Sequence, residues 1–326
     1  MSARGGIDLG GTKVQAVVID AQHRVLGQAR VATPTEGGPQ DVADALGGAM
    51  REAAEAAGVE VGSLDGIGVG SPGGVDAGAG TVRGAGNLPG WAGTFALGPA
   101  LQVELGVPAH LGNDVQVATD AEAALGAGRP FHSLLGVFWG TGVGGGIVLD
   151  DRPWIGRGAG GELGHVVVKE DGRVCPCGRK GCVEAYAGRG AMEARARKLV
   201  EEGRHTDLFK IMEERGRTRL TSGIWERALE HGDPMAHELI DRAVAAIATG
   251  VASAINLLDV EAVIIGGGLG IRLGQPYADR ILEEMRPHLF RDDRPPAVLV
   301  AQLGDLGGAI GASLLVPGAA PTPATA

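Results

Sequence analysis

Aromatic side chains are scarce in this chain of 326 residues: four Trp, two Tyr and five Phe amount to 3% of it. Its core must therefore be filled mainly by Val, Leu, Ile and Ala. Cationic charge is also in deficit, with 29 Lys and Arg against 39 Asp and Glu and a formal net charge of -10. That balance argues against non-specific nucleic-acid binding, which depends on neutralising phosphates, although a local basic site remains compatible with it. No apolar run free of charge approaches membrane-spanning length. Asp8 interrupts the apolar stretch that follows Arg4, so the N-terminus does not read as a secretory segment. The expected location is the cytoplasm. There are only three cysteines, too few and too close together for a disulfide framework; they read as a metal site in a reducing compartment.

What is abundant is glycine, at 58 residues, clustered without a collagen-like period in short loops between apolar runs. Tight turns and close approach to a ligand are the expected uses. The length accommodates two domains with sizeable cores. Gly6-Ile7-Asp8 ends a first strand and runs into Leu9-Gly10-Gly11-Thr12-Lys13; strands Val14–Asp20 and Val25–Thr33 follow, then an amphipathic helix over Asp41–Ala57. Ile67–Val69 and Val107–Leu111 read as strands that deliver Gly70-Ser71-Pro72-Gly73 and Asn113-Asp114, with a helix over Val115–Leu125. The order then restarts: strand Leu134–Phe138, the glycine turn Gly140 to Gly146, and strand Ile147–Leu149. A long helix over Pro234–Leu258, a buried strand Ala262–Ile265 ending in Gly266-Gly267-Gly268, and a closing helix around Leu303–Leu315 complete the pattern. Two mixed α/β halves with a cleft between them are expected, ligands lying beyond the strand C-termini.

Cys175-Pro-Cys177-Gly-Arg-Lys-Gly-Cys182 brings three thiols together on a glycine-turned loop. Zinc takes four ligands, and His165 is the natural fourth, ten residues upstream; His205 lies in a charged helical region and fits less well. The alternative is three reduced cysteines packed as small core residues, for which the loop is too polar. Four protein ligands leave no open position, so such a zinc would clamp rather than catalyse. It would brace the neighbouring Glu162 and Glu184.

Gly10-Gly11-Thr12 has the backbone donors and hydroxyl that cradle phosphate. It is neither a P-loop nor a dinucleotide fingerprint, since a second strand follows it. Gly140-Thr141-Gly142 offers a second such turn, and Gly266-Gly267-Gly268 a loop suited to a nucleoside. Asp8 would suit a water-held Mg2+; Lys13 either adds positive potential or points to solvent. Asp114 ends a strand and opens a helix, so on local pattern it reads equally well as a general base or as an N-cap. Asn113 can orient a polyol, Asn87 is a sugar-contact candidate, and Trp91 is expected to pack its loop.

Taken together, Asp8-Leu9-Gly10-Gly11-Thr12-Lys13, Gly70-Ser71-Pro72-Gly73, Asn87-Leu88-Pro89-Gly90-Trp91, Asn113-Asp114, Gly140 to Gly146, Glu162-Leu163-Gly164-His165, the Cys175–Cys182 loop and Gly266-Gly267-Gly268 resemble the ROK family of sugar kinases and sugar-responsive repressors. The resemblance spans Gly6 to Leu315. It implies an actin-like ATPase (ribonuclease H-like) fold: a small domain over residues 1–116 completed by a C-terminal helix at 303–316, a large domain over 117–302, and a flexible tail at 317–326. It further implies Asp114 as general base, and Ser71, Asn87, Asn113, Glu162, His165 and Glu184 as sugar contacts. Asp8, Gly10, Gly11, Thr12, Lys13, Gly140, Thr141, Gly142, Gly266, Gly267 and Gly268 would lie on the nucleotide side, and His165, Cys175, Cys177 and Cys182 would hold a structural Zn2+. The implied reaction moves the γ-phosphoryl group of Mg-ATP to the 6-hydroxyl of a hexose, glucose first, in a homodimer with a tetramer as the alternative. Mannose, N-acetylglucosamine or other sugars, and polyphosphate as donor, stay open. A repressor would need an added N-terminal DNA-binding domain, for which the first strand leaves no room. A non-enzymatic sugar sensor would be expected to lack Asp114 or a phosphate glycine, and all are present.

Overall fold

The computed structural model describes residues 2–86 and 88–318. Asn87 and residues 319–326, most of the expected tail, lie outside the described residues. By its internal contacts the chain divides into two compact units.

The first unit comprises Met1–Arg129, Pro153–Gly160 and Gln302–Ala326. It carries β1 (Ala3–Leu9), β2 (Lys13–Asp20), β3 (Val25–Ala32), α1 (Pro39–Ala56), β4 (Ile67–Ser71), β5 (Gly74–Asp76), β6 (Thr81–Arg83), β7 (Thr94–Phe95), α2 (Leu97–Leu105), β8 (Ala109–Asn113) and α3 (Asp114–Leu125). Its main sheet has the order β3-β2-β1-β4-β8, and β5-β6-β7 form a small separate sheet. β2 is buried along nearly its whole length because it is covered on both faces. Val14, Ala16 and Val18 join the cluster that takes in Val42, Leu46 and Met50 of α1, while Val17 and Ile19 pack on Ala309 and Ile310. Helix α1 has Pro39 in its first turn, where a missing N–H costs nothing. The Asp41 carboxylate accepts from the Gly38 N–H at 2.8 Å and so satisfies a donor at the helix start.

The closing helix is shorter than the sequence pattern suggests, a 3₁₀ turn at Gly304–Leu306 followed by Gly307–Ser313. It lies directly against the sheet. A methyl group at Gly6 would overlap the Ala309 carbonyl oxygen, and one at Gly68 would overlap that of Ala312. Strands β1 and β4 are thus bare of side chains where the helix crosses them, so helix and strand backbones touch. Helix α3 packs on the same helix and remains whole within this unit, which runs on to Arg129; a division at residue 116 would cut that helix in its first turn. The buried Glu122 carboxylate of α3 ties the arrangement together, accepting from the backbone N–H groups of Ala127 (2.9 Å), Gln302 (3.0 Å) and Leu303 (2.8 Å).

The second unit comprises Pro130–Arg152 and Gly161–Ala301. Its elements are β9 (Leu134–Trp139), β10 (Val143–Leu149), the edge pair β11 (Arg152–Pro153), α4 (Glu184–Ala187), α5 (Arg189–Glu201), α6 (Leu208–Glu214), α7 (Ser222–Glu230), α8 (Pro234–Leu258), β12 (Ala262–Gly266), α9 (Gly267–Leu273), α10 (Gln275–Met285) and β13 (Ala297–Val300). The sheet order is β11-β10-β9-β12-β13, with β9, β12 and β13 parallel. Helix α8 occupies the range its sequence periodicity predicts. Asp233 caps it, its carboxylate accepting from the Ala236 N–H at 2.7 Å. Pro234 sits in its first turn. The apolar face of α8 enters a core that includes Trp139, Trp225 and Met235.

One strand begins earlier than its pattern suggests. Val143 to Val148 pair with β9, so Gly144-Gly145-Gly146 are strand rather than loop. The glycines make room: a methyl group at Gly145 would overlap the Gly161 carbonyl oxygen and lie 2.9 Å from Leu163 Cβ, and one at Gly164 would overlap the carbonyl oxygen of Val143. The Glu162-to-His165 segment is therefore bedded on β10. Among the described residues no helix is long and apolar enough to cross a membrane.

Candidate active site and metal centre

In the first unit, three parallel strands deliver polar residues to one edge of the sheet. Register places Asp8 opposite Gly70 between β1 and β4, and Ser71 opposite Asn113 between β4 and β8. Helix α3 starts there. A methyl group at Gly70 would lie 2.8 Å from Val117 Cγ2 and 3.3 Å from the Asp114 Cα, so only glycine lets β4 pass the head of α3 this closely. The cap of α3 is Asn113, whose Oδ1 accepts from the Val115 and Gln116 N–H groups, both at 3.1 Å. Asp114 is instead the first helical residue, half-buried, with Oδ1 accepting from the Val115 N–H at 3.0 Å. The capping role weighed for Asp114 thus falls on its neighbour.

Asp8 is largely buried, and that burial pushes its carboxyl up to about 6; the Lys13 charge opposes the rise and Asp305 adds to it. Lys13 does not simply face solvent. Its Nζ meets Gln15 Oε1 at 2.8 Å and Asp305 Oδ2 at 3.2 Å. The turn after β1 is lightly held: the Gly10 N–H donates to the Lys13 carbonyl at 3.0 Å, the Thr33 hydroxyl donates to the Gly10 carbonyl at 2.7 Å, and Gly11 and Thr12 are exposed. A second carboxyl on α3, Asp120, is pushed up to about 7 by burial. It accepts from Gln116 Nε2 at 2.7 Å. Ser71 is fully buried and its hydroxyl donates to the Pro72 carbonyl at 3.0 Å, so it shapes its own loop. Trp91 packs its loop, donating from Nε1 to the Val82 carbonyl at 3.2 Å. It also meets Phe95 edge-on, with ring centroids 5.6 Å apart. Asn87 lies outside the described residues.

In the second unit, the two expected glycine loops lie together: a methyl group at Gly140 would be 3.9 Å from the Gly268 N, and one at Gly268 would be 3.5 Å from Ser222 Oγ. Arg189 links them, donating from Nη2 to Thr141 Oγ1 at 2.9 Å and from Nη1 to Ser222 Oγ at 2.8 Å. Burial, with Arg219 close by, lowers its pKa. Backbone bonds add to the hold, from the Arg189 N–H to the Gly140 carbonyl at 3.1 Å and from the Gly190 N–H to the Thr141 carbonyl at 3.0 Å. Glu184 Oε2 accepts from the Val143 N–H at 2.9 Å. Neither Arg189 nor Ser222 carries a local sequence signal. Each gains its place from partners tens of residues away.

The metal set assembles as its spacing suggests. One ligand atom from each of His165, Cys175, Cys177 and Cys182 lies within 4.8 Å of all the others. Cys177 and Cys182 sulfurs are 3.9 Å apart, and His165 Nδ1 lies 3.9 Å from the Cys175 sulfur. Tetrahedral zinc at about 2.3 Å from each sulfur requires sulfurs about 3.8 Å apart, which the Cys177–Cys182 spacing matches. Burial pushes the Cys175 thiol up to about 12 and Cys182 in the same direction, whereas the Arg179 backbone N–H draws Cys177 down to about 7. A bound dication reverses the cost of ionising the buried pair. With Nδ1 turned to the sulfurs, His165 Nε2 faces Glu162, whose Oε2 is 3.9 Å away, too far for a hydrogen bond. Glu184 Oε1 lies 3.9 Å from the Cys175 sulfur, so this glutamate touches both the metal loop and the turn after β9.

Comparison with known proteins identifies the family. The sequence matches the ROK family over residues 4–319. It is similar to a glucokinase of Thermotoga maritima, 32% identical over 313 residues that span 93% of this chain and 95% of the relative. Among solved structures it is similar to a ROK hexokinase from Thermus thermophilus, at 35% identity and a TM-score of 0.78, over 96% of this chain and 97% of that one. A ROK family glucokinase from Streptomyces griseus, crystallised with glucose and AMPPNP, is 30% identical with a TM-score of 0.82, over 96% of this chain and 99% of that one.

Proposed function

The chain belongs to the ROK family and has the mixed α/β fold of its sugar kinases, and from that premise we propose that it is an ATP-dependent hexose kinase with Asp114 as general base. It transfers the γ-phosphoryl group of Mg-ATP to the 6-hydroxyl of glucose or a closely related hexose. The observation that carries this reading is the head of α3. Asn113 takes the cap, Asp114 follows as the first helical residue, and the strand edge of Asp8, Gly70 and Ser71 runs beside it.

Asp114 accepts the proton of the 6-hydroxyl as that oxygen attacks the γ-phosphorus; the bond to the β-phosphate oxygen breaks and ADP departs. Asn113 has its carbonyl oxygen committed to the helix, which leaves its amide NH2 to orient a sugar hydroxyl. Glu162, His165 and Glu184 are assigned to the sugar, His165 through the Nε2 that the metal set does not use. Ser71 and Asn87 are assigned to the sugar as supporting contacts. Gly10, Gly11, Thr12 and Lys13, with Gly140, Thr141, Gly142 and Gly266 to Gly268, are assigned to the nucleotide. Mg2+ enters with ATP and shields the phosphate charge. Asp8 is the residue assigned to hold its water shell. Zinc held by His165, Cys175, Cys177 and Cys182 would supply no reaction step, since four protein ligands leave no open position, and would stiffen the loop.

We place the enzyme in the cytoplasm as a homodimer without a nucleic-acid partner, the charge of -10 supporting the last point. The test is a coupled assay of ADP release with Mg-ATP across a panel of hexoses and amino sugars. Turnover is expected with glucose, and its absence with every sugar would sink the kinase reading.

A further inference from the structure

The second unit contains a recess of about 460 Å³ behind the metal loop. The loop contributes Arg173 and Cys175 to its wall, and α5 contributes a face on which Ala191 and Ala194 are small and Arg195 and Lys198 are long. Three cations line it and no carboxylate does. Among the described residues neither Arg173 nor Lys198 forms an ion pair, and Arg195 reaches Glu202 only at 3.7 Å. Glu238, the next acid near Arg173, is already held by Arg204 and Arg242 at 2.8 Å each.

Arg173 is the telling member. Its Nη1 is buried and has no hydrogen-bond partner among the described residues, while its guanidinium carbon lies 5.0 Å above the Tyr186 ring. A buried donor is normally satisfied, so an orphaned one beside a recess marks a missing acceptor. Like charges gathered on a concave wall raise the local potential and cost stability until a counter-charge arrives. In a chain with a net charge of -10 this is a local concentration of positive charge.

We propose that the recess binds a dianionic phosphate group, either free phosphate or the phosphate of a sugar monoester. Arg and Lys together suit such a ligand: the planar guanidinium offers paired donors to two phosphate oxygens, and the ammonium adds a point charge. The volume lies within the range of small-molecule sites. None of Arg173, Arg195 and Lys198 belongs to the residues assigned to sugar or nucleotide, so the binding does not depend on the kinase reading. Cys175 forms part of the wall, so the recess borders the metal loop.

Calorimetric titration of the full-length protein with inorganic phosphate and, separately, with glucose 6-phosphate tests this, with glucose and Mg-AMPPNP at saturation to fill the reaction site. One equivalent is expected to bind, at least tenfold more weakly in the Arg195→Gln/Lys198→Gln variant, whose turnover at saturating substrate should match the wild type. Lys198→Glu, a single change at an exposed position, should weaken binding in the same direction and covers the case in which the double variant is misfolded. Equal binding of the two probes identifies phosphate itself as the ligand; binding of glucose 6-phosphate alone identifies the monoester. Binding of neither, or unchanged affinity in both variants, overturns the proposal. Failure of the kinase reading would appear as absent turnover and would leave the phosphate titration intact.

Discussion

The turn after β1 and the turn after β9 share a plan, strand, glycine-rich corner and antiparallel strand, yet the structure holds them in opposite ways. Around Gly10-Gly11-Thr12 there is, among the described residues, one side-chain bond, from the Thr33 hydroxyl, beside backbone bonds from Gly10 to Lys13 and from Thr33 to Thr12. Around Gly140-Thr141-Gly142, Glu184 and Arg189 both bond the turn through their side chains, and the start of α5 adds two backbone bonds. The open turn follows a buried carboxylate, Asp8. The clamped one is joined through Glu184 to the metal loop. A shared local motif therefore does not fix the mechanical state of a loop; partners distant in sequence do. The turn of the first unit is lightly tied, whereas that of the second is held in a fixed frame.

The strongest way to break this division is Asp114→Asn. If the first unit does the chemistry, kcat falls by about 10²–10⁴-fold while sugar binding and fold persist, as a coupled assay and a sugar titration would show. Near-normal turnover would remove Asp114 as the base. Metal removal probes the other side. Elemental analysis should find about one zinc per chain, and chelation should raise the sugar KM by roughly tenfold or more with a smaller change in kcat. A metal-free sample with unaltered KM would refute the frame.

Two smaller effects sharpen the contrast. Glu184→Ala removes a charged acceptor from the Val143 N–H. Losing such a bond should cost the β9 turn about 2 kcal/mol of local stability. Thr33→Val removes a neutral donor from the β1 turn. That loss should cost only about 1 kcal/mol. Amide exchange at each turn reads the difference, and equal losses would erase the distinction. The last prediction concerns pH. With the Asp8 pKa raised from 3.8 to about 6, the folded state binds more protons than the unfolded state between those values. The stabilising contribution of its protonated form is complete below about pH 4 and is lost as pH rises through about 6. In Mg2+-free buffer, Asp8→Asn should therefore be more stable than wild type by about 2 kcal/mol at about pH 7.5, and the gain should vanish near pH 4 in denaturant titrations.

Much of this was readable from residue order. The metal ligands are close in sequence and the loop between them is short, so spacing alone brought them together. Helix α8 declared both ends through Asp233, Pro234 and its periodicity, and Asn113-Asp114 marked a strand-to-helix junction. What stayed hidden depends on long-range packing. Lys13 meets Asp305 only because the closing helix returns to the first sheet. Arg189 gains meaning from Thr141 and Ser222. The assignment of the cap to Asn113 rather than Asp114 required backbone angles that both residues can adopt. The glycines of β10 looked like a loop because their reason for being small, the segment bedded on them, enters from a different part of the chain.

The contact of Gly6 and Gly68 with the closing helix has a consequence for synthesis. The sheet of the first unit is translated early, but the helix that covers its bare strands includes Ala309 and Ala312 and comes almost last. At the usual translation rates the gap from Arg129 to Ser313 lasts roughly 10–40 s; the first unit waits through it with an apolar face uncovered, and the second unit gains its last residue, Ala301, before the closing helix is made. The nascent chain is thus expected to mature in reverse order, with the unit that starts first finishing last, and chaperone demand should peak in that interval.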